Sequence, residues 1–170
     1  MGSLQQILPE PVSEAVEKAF LAKLYSKMLT SATPLVKAVR AIQAKYGDEG
    51  VEVIHQAFKE HAAERGRKMA REAKAGTLKA YCSALEAGCT GGNEWLKLED
   101  TDKRQAYRFT RCIWAEIFNE LGARDIGFWM CEGDEPMASA FNPAIGFQRT
   151  KTLMEGDDCC DHIFYLRNKT

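Results

Sequence analysis

The residues best able to do chemistry in this 170-residue chain are its six cysteines, and four of them sit in the C-terminal half among acids. Cys112 stands where an alternating run gives way to helical spacing. A thiol at a helix N-terminus has its thiolate favoured by unpaired N–H groups and the helix dipole. Glu116 lies one turn on, on the same helix face. Cys131 is followed by Glu132-Gly133-Asp134-Glu135, and Cys160 by His162 on the same strand face. A thiolate beside a base is a nucleophile. Cys112, Cys131, Asp134, Cys160 and His162 would also serve a mixed Cys/Asp/His metal site with a position left for water. A divalent metal therefore stays open as cofactor, although there is no CxxC pair and the neighbours Cys159 and Cys160 point to opposite strand faces.

For each of these thiols taken singly, ordinary packing is the competing reading, since free cysteine packs as a small hydrophobe. Cys82 falls in step with Leu78 and Leu85 and reads as core, while Cys89 sits in a Gly-rich turn without a role. Arg149 and Lys151 lie on one face of an alternating run. Either could clamp a carboxylate or simply be an exposed strand charge. Asp157 and Asp158 serve a turn, or one of them a base. His55 and His61 read as surface helix residues, and Trp95, Trp114 and Trp129 as core or pocket wall.

These residues must be positioned by helices in the first half and mainly by strands in the second. Val12, Val16, Phe20, Leu24 and Met28 are spaced as one helix face. The spacing predicts a break at Ser31–Pro34, a second helix stopping at Tyr46-Gly47, a third ending near Gly76 and a fourth ending at Gly88. After Cys89-Thr90-Gly91-Gly92 the texture changes. Residues 95–99 and 106–111 alternate around Asp100-Thr101-Asp102-Lys103 and predict a β-hairpin. Residues 112–121 return to helical spacing, closed by Gly122. Strands are expected at 126–131, 146–153 and 160–166, with a loop or short helix at 133–144. The fold class is α+β: a helical half, residues 1–90, packed on a mainly antiparallel sheet with one inserted helix, residues 91–170, as a single domain.

Composition narrows the function. At 45% hydrophobic and 28% charged, with net charge −1, the chain is neither disordered nor a disulfide scaffold. Residues 1–90 carry 13 basic and 10 acidic side chains and residues 91–170 carry 10 and 14, a balance of +3 and −4 without the basic footprint of a nucleic-acid binder. The first twenty residues lack a basic and apolar leader pattern, and Gln6 spoils a myristoylation reading of Gly2. No 18-residue apolar run is present. The expectation is a cytoplasmic protein with reduced thiols, a small-molecule substrate, no nucleic acid or membrane partner, and a homo-oligomer left open.

One ordered series goes further. Phe109-Thr110-Arg111-Cys112 leads into a helix with Glu116, followed by Cys131-Glu132-Gly133-Asp134 and Phe141-Asn142-Pro143. Phe147 through Asp158 and then Cys160-Asp161 complete it. Over residues 105–166 this series resembles the L-2-amino-thiazoline-4-carboxylic acid hydrolase (ATC hydrolase) family. The family's R-C falls on Arg111 and Cys112, its C-x-x-D on Cys131 and Asp134, its R-T-x-T on Arg149, Thr150 and Thr152, and its G-x-x-x-C-D on Gly156, Cys160 and Asp161. An aromatic is expected next, where this chain has His162, and Cys159 is an extra thiol.

The resemblance implies hydrolytic opening of a cyclic isothiourea to N-carbamoyl-L-cysteine. In that reading Cys112, Cys131 and Cys160 supply a nucleophile or metal ligand and Asp134 or Asp161 the base. Arg149 or Arg111 binds the substrate carboxylate, and His162 shapes what the pocket accepts. The second reading is a non-catalytic small-molecule or metal/haem-binding sensor module, because the layout is also similar to the vinyl-reductase-like ligand-binding domains.

Overall fold

A computed structural model describes residues 10–168; the Gly2/Gln6 reading and Pro9 lie outside them. Ser13 accepts a hydrogen bond from the Val16 N–H and starts α1 (Glu14–Glu72), with Glu14 and Glu17 in its first turn. The helix runs through Pro34 without the expected break. Thr30, Ser31 and Thr33 each turn a hydroxyl back to the carbonyl four residues earlier. Buried Ala32, Val36 and Val39 hold this stretch against other helices, so packing overrides propensity here. The break at Gly47 is real: its φ of 68° kinks α1 into two arms. The first-turn end of the predicted apolar stripe stays in solvent, with Val16 56% exposed.

Thr77 caps α2 (Leu78–Cys89), whose Leu78, Tyr81 and Cys82 are buried. The expected hairpin follows as β1 (Asn93–Asp100) and β2 (Arg104–Cys112), and α3 (Ile113–Glu120) follows β2 directly. Between β2 and the next strand stand three helices where one was expected. The run 126–131 is not a strand but lies in α4 (Arg124–Glu132), and 133–144 contains α5 (Asp134–Phe141). A short apolar run cannot distinguish a strand from a helix buried nearly all round. Burial on several sides is the case here: a Cβ on Gly127 would meet Phe118 at 2.6 Å and Met154 at 2.7 Å. The third strand is shorter than expected, β3 (Ile145–Gln148), and residues 149–159 form a loop before β4 (Cys160–Leu166).

The four strands form one antiparallel sheet in the order β1-β2-β4-β3. The fold is α+β, with a long N-terminal helix and the sheet towards the C-terminal end. One apolar cluster joins the inner sheet face (Tyr107, Phe109, Phe164) to α2 and α5. A second joins the first arm of α1 to α3 and α4 through Val36, Val39, Ile117, Phe118 and Trp129. Arg40 grips Asp125 with two bonds of 2.8 and 2.7 Å, and so ties α1 to the start of α4. His55 is not a free surface residue; it stacks on Trp129 and bonds Glu132 at 2.6 Å. Among the described residues no helix is long and apolar enough to cross a membrane.

Candidate active site

A cavity of about 190 Å³ opens at the junction of the two clusters. Cys89, Cys112, Cys131, Cys160, Asp134 and His162 all line it, with Arg65, Trp114 and Met69, Met130, Met137 and Met154. Sheet register explains the strand contribution. Phe109 pairs with Cys160 and Tyr107 with His162, so these side chains share the inner face. Cys112 is three residues beyond Phe109 and would face outwards on a regular strand. Between Trp95↔Phe109 and Glu94↔Arg111 the register slips by one residue, and this bulge at Thr110 turns Cys112 inwards. Cys112 is also the N-cap of α3, where the N–H groups of Trp114 and Ala115 favour its thiolate.

Cys131 and Asp134 flank the α4–α5 junction. Gly133 lies between them, packed so tightly on α1 that a Cβ there would come within 2.9 Å of Ala62. Arg149 reaches in from the loop after β3. It donates to the Cys131 carbonyl at 3.0 Å and to Asp134 Oδ2 at 2.9 Å, and its guanidinium lies 5.6 Å from the ring centres of both Phe128 and Phe147. This arginine therefore holds Asp134 rather than facing the cavity. Lys151 does not share its face; it is exposed and paired with Asp158. Thr152, 2% exposed, sits between two thiols, its Oγ1 3.8 Å from Cys131 Sγ and 3.7 Å from Cys160 Sγ. Cys160 Sγ also accepts the Leu153 N–H at 3.3 Å.

Two residues of the predicted set are elsewhere. Asp161 faces away from the cavity and organises the loop, accepting the N–H groups of Thr150 and Lys151 at 2.8 and 2.6 Å. Burial opposes its charge, but these donors and the Thr150 hydroxyl hold its carboxyl below the ordinary range. Arg111 forms a two-pronged pair with Glu116 at 2.7 and 2.9 Å, beside a surface groove of α1. Asp157 accepts the Thr152 N–H at 2.7 Å and Asp158 pairs with Arg108 at 2.8 Å, so both serve the loop. Sequence reasoning missed Arg65, gave Cys89 no role, and placed Thr152 on a motif without a function. The spacing of Arg65 and Met69, one helical turn apart, was the only signal for α1 as a wall.

The electrostatics separate the groups. Burial pushes the Asp134 carboxyl up to about 7, against the pull of Arg149 and Arg65. Burial pushes Cys131 up to about 12 and Cys89 to about 11. Burial raises Cys112 and Cys160 too, but each has N–H donors that favour its thiolate. Burial, with Arg149 nearby, drops His162 to about 3. His162 Nε2 is 3.8 Å from Asp134 Oδ2, and its Nδ1 is buried with no hydrogen-bond partner. All six thiols are free. Among the described residues no three His, Cys, Asp or Glu are disposed to hold one metal ion, so these donors share a cavity without forming a cage.

His162 and Asp134 oppose each other in pH-dependent stability. His162 binds fewer protons folded than unfolded between about pH 3 and 6.5, so acidification through that window destabilises the fold. Asp134 binds more protons folded than unfolded between about pH 4 and 7, so the same acidification stabilises it. Each is worth about 2 kcal/mol between pH 7 and 5, and the two nearly cancel. His162→Phe removes one side of that balance. The variant should gain about 2 kcal/mol on going from pH 7 to 5, relative to the wild type over the same change. Urea midpoints at the two pH values measure it; parallel midpoints would contradict the assignment.

A family model described as L-2-amino-thiazoline-4-carboxylic acid hydrolase matches residues 25–164. The chain belongs to the ATC hydrolase family. The match takes in much of α1, including the stretch that carries Arg65, as well as the motif-rich half. No curated protein sequence matches the chain. Among solved structures, the phenol-responsive sensory domain of the transcription activator PoxR with phenol is similar, at a TM-score of 0.52 and 11% identity. The alignment covers 78% of this chain and 73% of that one. At that identity the likeness is one of fold.

Proposed function

We propose that the protein hydrolyses a small cyclic C–N/C–S compound of the aminothiazoline-carboxylate class. The carrying observation is that Cys112, Cys131, Cys160 and Asp134, which fall on the family's motif positions, line a single cavity. A carboxyl pushed up to about 7 suits a general base near neutrality. In the proposed reaction Asp134 takes a proton from water as the water oxygen adds to the amidine carbon, and passes it to the ring nitrogen. The carbon–sulfur bond then breaks, the new hydroxyl becomes the carbamoyl oxygen, and its proton is relayed to the departing sulfur. A thiol route uses the same base: Cys112 Sγ adds to the amidine carbon as Asp134 takes its proton, the ring carbon–sulfur bond breaks with that proton passed to the departing sulfur, and water then adds to the S-linked carbon and expels Cys112 as its thiol. Among the cavity thiols Cys112 fits this role because it stands at the N-cap position of α3, where the N–H groups of Ala115 and Trp114 favour its thiolate.

A thiol-release assay on 2-amino-thiazoline-4-carboxylate, with and without added divalent metal, tests the reading; no release under either condition sinks it. Cys112→Ala should lower kcat at least about 100-fold if the thiol is the nucleophile. Cys131→Ala and Cys160→Ala should lower it about tenfold through loss of packing around Thr152. Wild-type turnover in all three would remove the thiols from the chemistry.

The second reading, a ligand-binding module without catalysis, is favoured by the likeness to a sensory domain solved with phenol. The cavity's Trp114, Phe109 and four methionines would suit a small ring. Saturable binding without turnover would select it, and metal analysis with an absorbance spectrum of the purified protein tests for metal or haem.

A further inference from the structure

We infer that Arg65 is the residue that selects a negatively charged ligand for this cavity, binding a carboxylate at the mouth while the ligand's ring lies inside. The inference deepens the proposed reading, since it supposes that the cavity takes a small ring compound.

Four observations carry it. Arg149, the arginine in the family-like motif, spends its guanidinium on Asp134, the Cys131 carbonyl and two aromatic rings. Arg111 is spent on Glu116. Arg65 is the one Lys or Arg among the described residues lining the cavity; its charge acts on Asp134 at longer range, but among the described residues it makes no ion pair or hydrogen bond, so its donors are unspent. It is also exposed, and it lines the shallow outer cleft of α1 as well, which places it where cavity and solvent meet.

Local packing fixes that position. Gly66 is buried where α1 crosses α5, and a Cβ on it would stand 2.2 Å from the Met137 carbonyl oxygen. The absent side chain lets the two helices touch, which brings Arg65 over the first turn of α5, where Asp134 sits. A ligand with its anion at Arg65 would turn the rest of itself inwards to Cys112 and Asp134. An unpartnered guanidinium with its fork of donors is suited to that carboxylate.

The test compares 2-amino-thiazoline-4-carboxylate with its 4-carboxamide, which lacks the carboxylate, by calorimetric binding and separately by turnover. The wild type should bind the acid about 10- to 100-fold more tightly than the amide. Arg65→Ala should lose that preference, Arg65→Lys should keep part of it, and both should bind the amide within about threefold of wild type. Arg71→Ala, one helix face away in the outer cleft, should keep the full preference. Equal binding of acid and amide by the wild type overturns the inference. So does binding of neither compound, or an acid preference that survives in Arg65→Ala. The two readings fail separately: acid-selective binding without turnover sinks hydrolysis and leaves Arg65 standing, while turnover of the acid with equal binding of both compounds does the reverse.

Discussion

Asp134→Asn should fold normally, lose at least about 1,000-fold in kcat/KM, and be no less stable than the wild type at pH 8. The chemical half follows from the base: asparagine has the same shape but cannot take a proton. The stability half follows from linkage. The folded carboxyl titrates near 7, above its unfolded value, so above pH 7 the wild type carries the full penalty of a charge held out of water. Asparagine has no such penalty, and its amide oxygen can still accept from Arg149, 2.9 Å away in the wild type. A site that weakens the fold in order to keep a poised carboxylate is the signature of function over stability. The companion measurement is the pH profile of kcat/KM, whose acid limb should fall near 7. Turnover by Asp134→Asn within tenfold of wild type would remove Asp134 as base.

The second large effect is structural. Gly66→Ala should destabilise the fold by about 3 kcal/mol, or roughly 6–12 °C in Tm for a chain of this size. Alanine would normally help a helix by up to about 1 kcal/mol. Here the added methyl meets a backbone carbonyl at 2.2 Å, and backbone cannot rotate aside as a side chain can. α1 and α5 would have to separate, taking Arg65 and Met69 away from Asp134, so ligand binding should weaken as well. Gly88→Ala is the control. It is also helical, nothing lies within 4 Å of its Cβ position, and it should be neutral or slightly stabilising. A Gly66→Ala protein as stable as Gly88→Ala would mean that the helix crossing is soft.

The positions of the long helix, the hairpin and β4 were legible because periodicity is a local property of sequence. The helices α4 and α5 were not. The run Ile126-Gly127-Phe128-Trp129-Met130 is apolar on nearly every side because α4 is wedged between α3, α1 and the 149–159 loop, and such a run has no period to read. Pro34 misled for the opposite reason: a local helix breaker was outweighed by burial of Ala32, Val36 and Val39.

By itself, the sequence determined the α+β class and, through its ordered motifs, the family and four of the cavity's reactive groups, Cys112, Cys131, Asp134 and Cys160; strand alternation beside Cys160 added His162. Residue type and spacing suffice for that, because a motif is a list of chemical groups in order. Tertiary structure alone decided which groups face the cavity and which face away. A one-residue bulge at Thr110 turns Cys112 inwards. Asp161 and Arg111 are drawn off to the loop and to Glu116, and Arg149 is turned onto Asp134. The cation left at the mouth, Arg65, comes from a helix far away in sequence, brought there by a glycine crossing that no local pattern encodes. Which charges remain unspent depends on every partner within reach, and those partners are set only when the chain has packed.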